Sequence, residues 1–211
     1  MASSFSSQIP IIIYLIKKLN PQKILDIGKG FGKYGFLIHE YFGIETNKKI
    51  DKSLTLKEQS KVIIDAVEVD DDLMLPHLNQ IYNKIYIVDI FDIYRNLESY
   101  DLILMIDVIE HLEKEKAKKM LIYFLSIGHT IIIATPKNFF AQHLYESSYE
   151  NHISHWSVKD FKEIGKVDYQ YTGDGVVYLV SSDKHKIVGF GNSLNKKVKR
   201  ILRIIINEVK S

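Results

Sequence analysis

The chain has 211 residues, 46% of them hydrophobic and 26% charged, the composition of one globular domain with a good-sized core. It contains no cysteine, which excludes disulfides, thiolate-bound metals and cysteine nucleophiles. The net charge of +2 hides an imbalance: residues 184–211 carry +7 and the rest of the chain −5, so a mildly acidic body precedes a basic tail.

The longest N-terminal apolar run, residues 9–16, contains Pro10 and falls short of the ~20 residues that a membrane-spanning helix needs. No positive charge precedes it and no small-residue cleavage site follows it. Neither a span nor a signal peptide is expected, and a cytoplasmic location is.

Residues 6–19 have helical apolar spacing, stopped by Asn20-Pro21. A short buried strand is expected at 23–27, followed by glycines at 28, 30 and 32 and a crossover helix over 33–41. Residues 43–61 are polar and read as an insertion with one helical turn. Strands follow at 62–69 and 84–89, separated by a helix over 72–82 in which Pro76 makes an irregularity. A strand at 101–106, buried on both faces, a helix at 114–125 and a strand at 130–134 complete the alternation. After a helix at 158–164, residues 167–172 and 176–181 flank Gly173-Asp174-Gly175 as a β-hairpin. An edge strand at 186–190 and a helix at 195–209 with basic and apolar faces end the chain. The class is therefore α/β, a doubly wound, mostly parallel seven-stranded sheet with an antiparallel C-terminal hairpin. Residues 1–183 form the domain and 184–211 a basic extension.

The stretch 24–37 reads ILDIGKGFGKYGFL, a strand, a tight glycine turn and a helix start. Gly28, Gly30 and Gly32 let the backbone turn and let a ligand approach it. The N–H groups at the helix start favour an anionic or carboxylate-bearing ligand. Asp26, just before the loop, disfavours a pyrophosphate and suits a ligand with an ammonium group. Glu68 ends the next strand, where its two oxygens can accept both hydroxyls of a ribose, with Asp70 as the fallback. Asp89 ends the third strand and suits an exocyclic amine, beside Ile90 and Phe91; it also reads as an N-cap.

Asp107-Val108-Ile109-Glu110-His111-Leu112 delivers a carboxylate and an imidazole to the same rim. Asp107 is the better placed to touch ligand, and His111 also reads as a structural histidine. Polar and aromatic residues from Gln142 to Trp156, including Glu150-Asn151-His152-Ile153-Ser154-His155-Trp156, look like a substrate lid. Capping and packing are the plainer roles for Ser154, Trp156 and Asp160. His143, His152 and His155 raise a metal reading, but no third ligand is spaced for zinc, and no metal is expected.

These motifs in this order, with Thr135-Pro136 after the fifth strand, resemble class I S-adenosylmethionine-dependent methyltransferases over about residues 21–181. Gly30-Phe31-Gly32-Lys33-Tyr34-Gly35, Asp107-Val108-Ile109-Glu110-His111 and Glu150-x-His152-x-Ser154-x-Trp156 look like a subgroup of small stand-alone bacterial and archaeal members. The resemblance implies a Rossmann-like methyltransferase fold and S-adenosyl-L-methionine as cofactor. Asp26, Gly28, Gly30 and Gly32 would hold its methionine part, Glu68 the ribose, Asp89 and the Ile90 backbone the adenine, and Asp107 the methyl-transfer side. Lys29 departs from the small or neutral residue common at its position.

The expected reaction is methyl transfer to a small-molecule oxygen or nitrogen acceptor. His152, then His111 and His155, are the expected general bases. A non-enzymatic binding module is the second reading. Its basic helix at 195–210 would lie on an anionic membrane surface or form a homodimer contact. A nicotinamide-dependent oxidoreductase is disfavoured by Asp26 and the closing hairpin, and a nucleic-acid acceptor by the acidic body.

Overall fold

The computed structural model describes residues 4–44, 50–138 and 151–182. The strand expected at 186–190, the helix expected at 195–209, Gln142, His143 and Glu150 lie outside the described residues. Among the described residues, no helix is long and apolar enough to cross a membrane.

Seven strands form one sheet: β1 (Lys23–Ile27), β2 (Ile63–Glu68), β3 (Lys84–Ile87), β4 (Leu102–Ile106), β5 (Thr130–Pro136), β6 (Lys166–Tyr171) and β7 (Gly175–Ser181). Their order is β3-β2-β1-β4-β5-β7-β6. The first five are parallel, and β7 runs antiparallel to both β5 and β6. Sequence order reverses between β1 and β4, which opens a crevice at the carboxyl ends of the strands.

Both faces of the central strands β1, β4 and β5 are buried, and these strands are almost wholly apolar for that reason. Ile24, Leu102, Leu104, Ile132 and Ala134 face one core, with Ile12, Leu15 and Ile16 of α1 (Ile9–Leu19) and Tyr34 and Ile38 of α2 (Lys33–Ile38). The alternate residues Leu25, Ile27, Ile103, Met105, Ile131 and Ile133 face the other.

Pro10 sits in the first turn of α1, and Asn20 closes the helix in the left-handed region at φ 48°. Two single turns follow, α3 (Leu56–Gln59) and α4 (Ile90–Ile93). A long helix, α5 (Lys114–Ser126), buries Ala117, Met120, Leu121 and Phe124 at helical spacing against the second core. Trp156 and Phe161 join that core, the latter from α6 (Val158–Lys162).

The structure departs from the sequence reading at three places. The helix expected over 72–82 is two 3-10 turns, Asp71–Leu73 and Pro76–Gln80, because proline holds Leu75 extended at ψ 143°. The helix expected over 33–41 ends at Ile38 and passes into a π-helical turn, His39–Gly43, where His39 Nε2 donates to the Ile81 carbonyl at 2.7 Å. The α4 turn was not expected; Asp89 caps it by accepting from the Phe91 N–H at 2.9 Å.

Candidate active site

A cavity of about 520 Å³ opens at the carboxyl ends of β1 to β5. Its wall includes Gly28, Gly30, Glu68, Asp89, Ile90, Asp107, His111 and His152. Eight of the eleven expected site residues therefore meet in one space. Asp26, Gly32 and His155 do not line it.

The glycine side is built around positive backbone angles. Gly28 has φ +70°, and a Cβ there would stand 2.3 Å from Val108 Cγ2. Only glycine fits that turn without displacing the wall opposite. Gly28 N–H donates to the Val67 carbonyl at 2.8 Å, tying the turn to β2.

Glu68 is buried, not a solvated strand end. Its carboxylate accepts from the N–H groups of Gly30 at 3.2 Å, Val69 at 3.0 Å and Asp70 at 3.3 Å. It holds the glycine loop to the end of β2 while facing the cavity.

Asp26 lies behind the loop. Tyr82 donates its hydroxyl to Asp26 Oδ2 at 2.6 Å. Burial pushes the carboxyl up to about 7, against the lowering effect of the Tyr82 bond. Lys29 also turns inward, and its Nζ donates to the Leu73 carbonyl at 2.9 Å. Burial lowers its pKa, opposed by the nearby charges of Glu68 and Asp26. Lys29 does not line the cavity, so the departure seen in the sequence puts no ammonium group on its wall.

The opposite side grows from the end of β4. Asp107 has φ 54°, a left-handed conformation that costs a non-glycine residue of order 1 kcal/mol. Its N–H donates to the Ala134 carbonyl at 2.8 Å, and Gln8 Nε2 donates to its Oδ1 at 3.1 Å. Burial raises the Asp107 pKa, and the Gln8 bond lowers it in part.

The 3-10 turn Ile109–His111 comes next. Asp107 and Glu110 both line the cavity. Glu110 is 3% exposed, and among the described residues its carboxylate has no close hydrogen-bond partner beyond a weak one from the Thr135 side chain. Burial first, then the charge of Asp107, raise its pKa well above the usual carboxylate range.

The segment 151–156 is pinned onto this turn, and does not stand off from it as a lid. Ile153 and Ser154 N–H groups donate to the Glu110 carbonyl at 2.9 and 3.0 Å. Ser154 Oγ and Trp156 Nε1 both donate to the Ile109 carbonyl at 3.1 Å. His152 is thereby set against His111, with ring centroids 4.9 Å apart. His111 Nδ1 pairs with the Asn151 carbonyl at 3.1 Å, the structural bond that the sequence left open. His155 is exposed, and its carbonyl accepts from Lys114 Nζ.

Sequence reasoning missed Phe5, Gln8 and Glu110. Phe5 lines the cavity, and Gln8 is fully buried against Asp107. A glutamine opening an apolar helix gave no sign of this. Glu110 had a signal, its place in the 107–112 run that follows a strand buried on both faces.

The fold and this crevice define the class I methyltransferase architecture: five parallel strands, a closing antiparallel hairpin and a glycine turn after β1. No protein-family model and no curated protein matches the sequence. Solved structures do match. The methyltransferase domain of bacterial CtHen1 superposes with TM-score 0.53 at 20% identity, covering 83% of this chain and 97% of that one. A SAM-dependent methyltransferase from Archaeoglobus fulgidus gives 0.55 at 13% identity, over 82% and 91%. The N-terminal domain of EvdMO1 with SAH bound gives 0.57 at 9%, over 85% and 82%. At these identities the likeness is one of fold.

Proposed function

We propose that this protein binds S-adenosyl-L-methionine in the crevice between β1 and β4 and transfers its methyl group to a small-molecule oxygen or nitrogen acceptor. The observation that carries this reading is the convergence of Gly28, Gly30, Glu68 and Asp89 on one cavity. The fit rests on the molecule itself. Gly30 has φ +49° and nothing stands within 4 Å of a Cβ built there, so the backbone at that point of the loop is bare to a ligand. Asp89 and Ile90 line the same cavity from the end of β3, two strands away from β1. Bound S-adenosylmethionine supplies a methyl group on a sulfonium sulfur, which a nucleophilic oxygen or nitrogen displaces.

The chain's own residues then have separable tasks. Gly28 and Gly30 hold the amino-acid end through the backbone. Glu68 accepts from ribose hydroxyls with the lone pairs that Gly30, Val69 and Asp70 leave. Asp26 acts through the loop that it lies behind. Asp107, His111 and His152 border the space left for the acceptor, where holding the nucleophile in line is the main contribution to rate. His155 has no part in this space. Solved structures of this fold include a putative O-methyltransferase from Nostoc punctiforme and the 16S rRNA methylase ArmA, so the acceptor class rests on this cavity's size and walls.

Calorimetric titration tests the reading, with S-adenosylmethionine, S-adenosylhomocysteine and, as control, NAD. Micromolar binding of both sulfur ligands, weakened at least tenfold in Glu68→Ala, is expected. Binding of NAD alone, or of none of the three, overturns it.

A further inference from the structure

We infer that Glu110, His111 and His152 form a site for a divalent first-row transition-metal ion, whose open positions face the acceptor side of the cavity. This deepens the methyltransferase reading and rests on it for the role of the ion, though not for its binding.

Three observations carry the site. One ligand atom from each residue lies within 4.8 Å of the other two. Tetrahedral ligands about 2.1 Å from one ion stand about 3.4 Å apart, so side-chain rotations that close the group by up to about 1.4 Å complete the site. Second, Glu110 is almost wholly buried, and among the described residues its carboxylate has no close hydrogen-bond partner beyond a weak one from the Thr135 side chain. Native structures rarely leave a buried carboxyl so placed, and an ion satisfies it. Third, the two histidines come from segments distant in sequence, locked together by the bonds from Ile153, Ser154 and Trp156 to the 109–111 turn. The Asn151 carbonyl fixes the His111 ring by taking the Nδ1 proton, which leaves the lone pair on Nε2, the usual second support of a metal-bound histidine.

Two imidazoles and one carboxylate suit iron, manganese, cobalt or zinc, and leave positions open for substrate. Those positions border Asp107, His111 and His152 on the cavity wall. The acceptor class that fits is a molecule that offers a hydroxyl oxygen to the ion. Coordination fixes that oxygen and makes its proton easier to lose. A metal-bound imidazole has no lone pair left to act as a base, so this assignment replaces the general-base role expected of His152.

The experiment uses the tag-free full chain, dialysed against chelator and titrated with cobalt(II) without S-adenosylmethionine, with zinc(II) as competitor. Visible cobalt absorption reports coordination, and the absence of cysteine removes thiolate bands from the interpretation. Wild type and His155→Ala are expected to bind one equivalent at micromolar concentration, displaced by zinc. Glu110→Gln and His152→Ala are expected to lose at least 30-fold in affinity, with circular dichroism confirming that both fold. No cobalt binding by wild type, or binding unchanged in both folded variants, overturns the proposal. Cobalt binding without binding of S-adenosylhomocysteine upholds the metal site and overturns the methyltransferase reading alone.

Discussion

The two walls of the cavity are built on opposite plans. On the glycine wall the acids are engaged: Glu68 accepts from three backbone N–H groups and Asp26 from the Tyr82 hydroxyl. On the β4 wall both oxygens of Glu110 and Oδ2 of Asp107 are buried without a close partner among the described residues, Thr135 reaching Glu110 only weakly. The first wall is complete as folded and can be rigid before any ligand arrives. The second holds negative potential in reserve, which a proton or a cation can neutralise. A methyl-transfer site needs both, a preformed cradle for the donor and an adjustable place for the acceptor.

The largest expected effect breaks the glycine wall from behind. Asp26 holds its proton to about pH 7 in the fold against 3.8 ordinarily. The folded chain thus binds more proton than the unfolded chain between those values. Its stability falls as pH rises through that window, by on the order of 4 kcal/mol. Asp26→Asn keeps an acceptor for Tyr82 and removes the charge. Urea denaturation should show the variant gaining on wild type steadily from pH 4 to pH 8, and a constant difference would contradict this.

Gly28→Val strikes the same wall from the front, by strain at φ +70° and collision with Val108. Affinity for S-adenosylhomocysteine should fall at least 100-fold, about 2.7 kcal/mol. Calorimetry on the folded fraction checks it. The β4 wall is loosened more gently by Trp156→Phe, which removes the indole donor to the Ile109 carbonyl and costs about 1–2 kcal/mol in thermal unfolding. That variant should weaken cobalt binding and leave S-adenosylhomocysteine binding near wild type. If both fall together, the walls are not independent. The smallest effect belongs to Lys118→Ala, which removes an exposed ion pair with Glu163 away from either wall. It should leave the unfolding temperature near that of wild type and change neither affinity.

Much of this molecule was legible in its sequence, for physical reasons. Strands buried on both faces must be apolar throughout, so β1, β4 and β5 stood out. The glycine turn after β1 and the acids at the ends of β2 and β3 mark strand ends in an open parallel sheet, and they do meet in one cavity. What stayed hidden depends on contacts distant in sequence. Nothing local to Gln8 reveals Asp107, ninety-nine residues away. Asp26 looked like a ligand group, and only the fold places Tyr82 over it. The 151–156 segment looked like a lid because its polarity was visible and its bonds to the 109–111 turn were not. Pro76 was noted, yet its reach over the whole 72–82 stretch was underestimated. For the same reason His152 was paired with His155, its neighbour in sequence, and not with His111, its neighbour in space.

The most direct test of the central claim is a crystal structure of the protein soaked with S-adenosylhomocysteine. Density is expected along Gly28 and Gly30, with the ribose at Glu68, the adenine beside Asp89 and Ile90, and the sulfur turned toward Asp107. Density elsewhere on the molecule, or a cavity still empty at saturating ligand, would contradict the account.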